Sequence, residues 1–122
     1  MTTRLLIYGA NGYTGEMIAR AAAAQGLSPI LAGRSEPAVA ALARELGCEF
    51  RVFGLANPSA VAAGLAGCRV VIHCAGPFSA TAAPMMAACI AAHVHYTDIT
   101  GEIDVFELGF QHDAAARQAG IV

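Results

Sequence analysis

Short, nearly unbroken apolar runs alternate along this chain with longer stretches whose apolar residues recur at helical spacing. The first run, Arg4 to Tyr8, reads as a strand, and the stretch from Thr14 to Gln25, closed by Gly26, as a helix. Ser28 to Ala32 predicts a second strand. Gly33-Arg34-Ser35 turns it into a second helix with Ser35 at its cap, Pro37 in its first turn, Val39, Leu42 and Leu46 on one side, and Gly47 as its stop. Glu49 to Phe53 predicts a third strand, and Asn57-Pro58 the cap and first position of a short helix. Arg69 to Cys74 is the fourth strand, Ala75 to Phe78 a loop, and Ala82 to Ala92 a helix. His95 to Ile99 predicts a fifth strand and Ile103 to Ala119 a last helix. Gly120-Ile121-Val122 then reads as a helix stop and the opening of a sixth strand.

Apolar strands alternating with helices indicate an α/β fold with a parallel sheet covered on both faces. Right-handed crossovers favour strand order 3-2-1-4-5, a doubly wound, Rossmann-type sheet with a truncated sixth strand and a ligand crevice beside the first. Residues 1–122 read as one domain, and the ending at Val122 as a cut that leaves the rest of a longer protein outside it.

Composition narrows the partners. The chain is 57% hydrophobic and 13% charged, with net charge −2, which gives no electrostatic reason to bind nucleic acid. All seven basic residues are arginine, so lysine chemistry is ruled out within this chain. No run reaches the ~18 apolar residues of a membrane span, and the most apolar stretch, Ala82 to Val94, carries Pro84 and His93. Met1-Thr2-Thr3-Arg4 runs straight into a strand without a leader's layout. Cys48, Cys68, Cys74 and Cys89 have no C-x-x-C or metal-like spacing and read as buried free thiols of a cytoplasmic protein.

Candidate chemistry begins where the first strand ends. Tyr8-Gly9-Ala10-Asn11-Gly12-Tyr13-Thr14-Gly15 places three glycines at intervals of three between a strand and a helix. Gly9 allows a sharp turn, Gly12 lets a pyrophosphate approach the backbone, and Gly15 lets the helix pack on the strand. The unpaired N–H groups of that helix start face the anion with the helix dipole behind them. The end of the second strand decides which dinucleotide. An NAD site places an acid there to accept from the ribose hydroxyls, but this chain has Arg34 followed by Ser35. A guanidinium grips a 2′-phosphate instead, which favours NADP over NAD; the bland reading is a solvated surface arginine. Ala75-Gly76-Pro77-Phe78 after the fourth strand should face the same crevice on the nicotinamide side, or else be a structural turn. Leu55, past the third strand, is a candidate wall for the adenine.

Other polar residues carry less. His93, His95 and Asp98 lack the spacing of a metal site, and no metal is expected. His93 reads as a helix end, where a cation suits the dipole. Tyr96, Asp98 and Glu102 cluster past the fifth strand and either face a substrate or cap the next helix, with Thr100 and Glu102 at helix-start positions favouring capping.

Taken together, Tyr8 to Gly15, Ala32-Gly33-Arg34, Ala75 to Phe78, and the block from Ala88-Cys89 to His95-Tyr-Thr-Asp-Ile-Thr-Gly-Glu102 resemble the N-terminal NAD(P)-binding domain of the saccharopine dehydrogenase-like oxidoreductases, a grouping similar to the trans-acting enoyl reductases. Ala82 and His93 depart from the family pattern, where glycine is common. The resemblance implies an NADP(H)-dependent oxidoreductase whose C-terminal part, absent from residues 1–122, binds a small-molecule substrate and forms a homodimer. It carries over Gly9, Asn11, Gly12, Tyr13, Thr14, Gly15, Arg34, Ser35, Ala75, Gly76, Pro77 and Phe78 as cofactor-binding residues and no catalytic residue. The chain alone is then expected to bind NADPH with little turnover. A non-catalytic NADP-sensing or interaction module on the same fold is the competing reading.

Overall fold

The computed structural model describes residues 4–122; the Met1–Thr3 lead lies outside the described residues. Along the chain run β1 (Leu5–Tyr8), α1 (Tyr13–Ala24), β2 (Ile30–Gly33), α2 (Glu36–Leu46), β3 (Phe50–Val52), α3 (Pro58–Gly64), β4 (Val70–His73), α4 (Phe78–Ala92), β5 (His95–Asp98), α5 (Ile103–Gln111) and α6 (Asp113–Ala119). The strands form one parallel sheet in the order β3-β2-β1-β4-β5, as the crossover rule requires. The register pairs Tyr8 with Ala32 and His73, and His73 with Asp98, so the carboxyl ends of four strands lie level at one edge.

Side chains alternate across the strands and divide the core in two. Ile7 and Leu31 meet Ala19, Val39, Leu42 and Ala43 beneath α1 and α2. Leu6, Tyr8, Ile30 and Val71 meet Val61, Leu65, Met85 and Cys89 beneath α3 and α4. Each fully buried large aliphatic side chain contributes about 1.5–3 kcal/mol against solvent, which is what holds such short strands in register.

Helix ends follow local chemistry, with some corrections to the sequence reading. The Asn57 side chain caps α3, accepting from the N–H groups of Ser59 at 2.9 Å and Ala60 at 3.4 Å. Ser35 holds the cap position of α2, but its hydroxyl makes no capping bond. α4 starts at Phe78, not Ala82, because the Glu102 carboxylate accepts from the Phe78 N–H at 3.1 Å and closes the turn; Pro84 therefore lies inside the helix. The expected last helix is two, divided at His112 three residues after Gly109, the weakest helix former of the stretch. Gly120 stops α6, but Ile121 and Val122 form no sixth strand. Val122 makes one backbone bond to the outer edge of β5, accepting from the Tyr96 N–H at 3.0 Å, while its own N–H donates to His95 Nδ1 at 3.1 Å.

His93 closes α4 in the left-handed conformation at φ 56°, and its Nδ1 lies 2.9 Å from the Ala119 carbonyl. His93 and His95 thus tie the end of α6 to β5. No group of three or more His, Cys, Asp or Glu among the described residues is placed to hold a metal ion, and no described helix is long and apolar enough to cross a membrane. All four cysteines are free, yet only Cys89 is fully buried.

Candidate functional site: a crevice at the carboxyl ends of β1, β2 and β4

A cleft of about 280 Å³ opens where β1, β2 and β4 end. The loop after β1 contributes Gly9, Asn11 and Gly12; the turn after β2 contributes Gly33, Arg34 and Ser35; the segment after β4 contributes Cys74, Ala75 and Gly76; Tyr8 adds to the wall. Seven of the twelve expected cofactor residues therefore meet in one cavity. Tyr13, Thr14, Gly15, Pro77 and Phe78 do not line it. Tyr13 stands 86% exposed at the start of α1, and Phe78 packs its ring on His73 with centroids 5.2 Å apart.

Packing explains the first and third glycines. Gly9 has φ +82°, and a Cβ there would lie 2.8 Å from the Ala75 nitrogen. A Cβ on Gly15 would lie 2.0 Å from the Gly9 carbonyl oxygen, so α1 rests directly on the turn. The turn is pinned by the N–H groups of Gly9 and Ala10, which donate to the Ala32 carbonyl at 2.8 and 3.1 Å. Gly12 caps α1 with its backbone, its N–H bonded to Gly9 and its carbonyl accepting from Glu16. The N–H groups of Tyr13, Thr14 and Gly15 have no acceptor among the described residues. They are the free donors that an anion needs at a helix start.

Arg34 is exposed and, like Arg44 and Arg69, makes no ion pair or side-chain hydrogen bond among the described residues, whereas Arg4, Arg20, Arg51 and Arg117 pair with carboxylates; of the unpaired arginines, Arg34 is the one that lines the cleft. Among the described residues no carboxylate lines the cleft. The other titratable side chains there are held protonated near neutral pH. Burial raises the Tyr8 phenol, with the Arg34 charge opposing, and its hydroxyl donates to the Phe53 carbonyl at 2.7 Å. Burial pushes the Cys74 thiol up to about 11, with the Asp98 charge adding to the rise. Free donors, one unpaired guanidinium and no acid fit a phosphorylated dinucleotide.

Beneath the far end of the cleft lies a group the sequence reading did not single out. His73 is fully buried at the end of β4, and its Nε2 lies 2.9 Å from the Thr81 hydroxyl. That hydroxyl donates to the Ala75 carbonyl at 2.6 Å, so the His73 ring must donate to it through Nε2–H. Nδ1 has no partner among the described residues. Burial lowers the imidazole to about 4 against an opposing pull from Asp98, and the ring stays neutral. The available signal was its place: one polar residue closing an apolar strand at the crevice end of the sheet.

The cluster past β5 is occupied with itself. Tyr96 donates to Asp98 at 2.7 Å, Asp98 accepts from the Thr100 N–H at 3.1 Å, and Thr100 accepts from the Glu102 N–H at 3.1 Å. Burial, with Asp98 beside it, raises the Tyr96 phenol far beyond its usual range. The expected capping of the next helix is not found: no side chain caps α5, and the Glu102 carboxylate instead accepts from the Phe78 N–H at the start of α4. Leu55 is corrected too: it lines a separate apolar groove between α3 and α4, with Pro58 and Pro84, because the chain after β3 turns toward that face.

Sheet order, glycine turn and crevice define a dinucleotide-binding domain of the Rossmann class. The chain belongs to the saccharopine dehydrogenase NADP-binding domain family, whose model matches residues 5–122, and NADP is that family's nucleotide. A putative trans-acting enoyl reductase of Mycobacterium tuberculosis is 34% identical over 105 residues, covering 80% of this chain and 25% of that protein. The human saccharopine dehydrogenase-like oxidoreductase is 26% identical over 97% of this chain and 33% of its own length. The apo saccharopine dehydrogenase of Saccharomyces cerevisiae superposes with a TM-score of 0.83 at 19% identity, covering 98% of this chain and 26% of that one. The chain thus spans about a quarter of the length of its mycobacterial relatives. These relatives are oxidoreductases by name.

Proposed function

We propose that this chain is the NADP(H)-binding domain of an NADP-dependent oxidoreductase, with the pyrophosphate on the Gly9–Gly15 loop, the 2′-phosphate on Arg34 and Ser35, and the nicotinamide half toward Gly76, Pro77 and Phe78. The observation that carries the reading is Arg34, an unpaired guanidinium at the end of β2 in a cleft without a carboxylate. It supplies a bidentate grip for a phosphate dianion and nothing that accepts from a 2′-hydroxyl. The donors of Tyr13 and Thr14 would hold the pyrophosphate at the positive end of α1. When bound, the dinucleotide supplies the hydride chemistry. The cleft's own phenol is held by the Phe53 carbonyl, and substrate selection and proton transfer fall to residues outside this cleft. The full protein would meet its small-molecule substrate, and a second subunit, through those parts.

The test is calorimetry with NADPH and NADH on the wild type and Arg34→Ala. Wild type should prefer NADPH, and the variant should lose about 1.5 kcal/mol toward NADPH, the low end for a charged hydrogen bond because Arg34 is exposed. Affinity for NADH should hardly change. Equal wild-type affinities, or a variant that keeps the preference, sinks the assignment. A module that only senses NADP would pass this test as well. Hydride transfer by the full-length protein separates the two.

A further inference from the structure

The pair of fully buried His73 and half-buried Thr81 lies under the nucleotide cleft, and the glycine loop and Arg34 give no account of it. Thr81, in the first turn of α4, accepts from His73 Nε2–H at 2.9 Å and donates to the Ala75 carbonyl at 2.6 Å. Its hydroxyl also lies 3.3 Å from the Pro77 carbonyl, so one oxygen touches both sides of Gly76. Ala75 and Gly76 line the cleft, and the Ala75 backbone abuts Gly9. The Ala75–Gly76 peptide is trans, so its C=O and N–H point in opposite directions. With the carbonyl drawn inward to Thr81, the Gly76 N–H points outward, and it has no acceptor among the described residues. Gly76 is exposed, and a Cβ on it would meet nothing nearer than 3.9 Å, so the space beside its Cα is open.

We propose that His73 and Thr81 are positioning residues that lock the Ala75–Gly76 peptide so that the Gly76 N–H is presented to the nicotinamide-ribose half of the dinucleotide. The proposal rests on the cofactor placement given above. His73 orients Thr81, whose single proton is then committed to the Ala75 carbonyl. The packing of Tyr8, Phe78 and Tyr96 around the imidazole, with ring centroids 5.7, 5.2 and 6.1 Å away, shields the His73 ring from water. Asp98 is the charged group facing the ring from β5, and Asp98 is itself occupied by Tyr96 and Thr100. The imidazole therefore acts as a fixed donor rather than a switch.

The experiment compares NADPH with adenosine 2′,5′-bisphosphate, which carries the 2′-phosphate but no nicotinamide half. Thr81→Val keeps the shape and removes the hydroxyl, Thr81→Ser restores it, and His73→Leu removes the donor beneath. Calorimetry should show NADPH binding about tenfold weaker in Thr81→Val and His73→Leu and within about twofold of wild type in Thr81→Ser, a single hydrogen-bond effect. The bisphosphate should bind all four proteins alike. Equal loss of both ligands in the variants means a general structural role and overturns the proposal, as does unchanged NADPH binding. Should one variant fail to fold by circular dichroism, the other carries the same comparison. If wild type binds neither ligand, the cofactor placement itself has failed, a result distinct from failure of the relay.

Discussion

Gly15→Ala tests whether the contact between α1 and the glycine turn is as close as the structure makes it. An added Cβ would lie 2.0 Å from the Gly9 oxygen, 2.8 Å from its carbonyl carbon and 3.0 Å from Ala10 Cα. Non-bonded carbons and oxygens settle at about 3.5 Å, so helix and turn must separate by about 1.5 Å. The turn cannot retreat: Gly9 and Ala10 both donate to Ala32, and Ala75 stands behind Gly9. The helix has to move, taking Ala19 and Ala22 away from the core beneath it. Overpacking of this kind costs about 1–3 kcal/mol, and with backbone atoms on both sides the upper end applies. Alanine's better helix propensity returns about 1 kcal/mol, leaving a net loss of about 2 kcal/mol. That is a large share of the ~5–15 kcal/mol that holds a domain together. Urea denaturation reads it as a midpoint lower by about 1 M, for a slope near ~2 kcal/mol/M. Gly54→Ala is the control, since its Cβ would meet nothing within 4 Å; it should be neutral or stabilise by up to about 1 kcal/mol. The Gly15 variant should also bind NADPH more weakly, because the displaced helix carries its N–H groups away. A variant as stable as wild type with undiminished NADPH affinity would refute the close packing on which the phosphate site depends.

Asn57→Ala removes the side chain that accepts from Ser59 and Ala60 at the start of α3 and should cost about 1 kcal/mol in the same urea assay; no change would mean that water replaces the cap. The pH dependence has a definite sign. An unfolded histidine titrates near 6.5 and the buried His73 near 4, so as pH falls between those values the unfolded state takes up a proton that the folded state refuses. Stability from this group is full above pH 6.5 and drops by up to about 3 kcal/mol by pH 4. Comparing urea midpoints at pH 7 and 4.5 should show a smaller drop in His73→Gln than in wild type, and parallel curves would rule out the imidazole as the cause.

The sheet was legible because strand and helix periods differ and the breaks between them carry Gly and Pro. Val70-Val71-Ile72 cannot be confused with Glu36 to Leu46, whose apolar positions fall on one side. Boundaries failed where a distant group decides them. α4 starts early because Glu102, 24 residues downstream, caps it, and no local pattern near Phe78 contains that information. The last helix divides at His112 although its apolar spacing runs on, since Gly109 weakens a stretch that packs against the core chiefly through Val105. In the site, the glycines and Arg34 were legible because each answers a local requirement: a turn, a close approach, a charge at a strand end. His73 and Thr81 were not. Their bond joins a strand to a helix eight residues on, and its meaning lies in the peptide orientation it enforces.

That difference separates two kinds of work in the cleft. Gly9 and Gly15 are required by exclusion, since any side chain there collides with backbone, and their loss should weaken folding and binding together. Arg34 is exposed and makes no hydrogen bond or ion pair among the described residues, so its removal should alter nucleotide preference and leave stability within about 0.5 kcal/mol. Thr81 stands between these cases, because it is bonded on both sides yet lines no wall of the cavity. On the proposed placement, steric fit would set where the phosphates can lie, the guanidinium which nucleotide is preferred, and the His73–Thr81 pair which way one peptide faces. Only the first of these is inseparable from the fold, and so the second and third are where members of one family can diverge while keeping the same sheet.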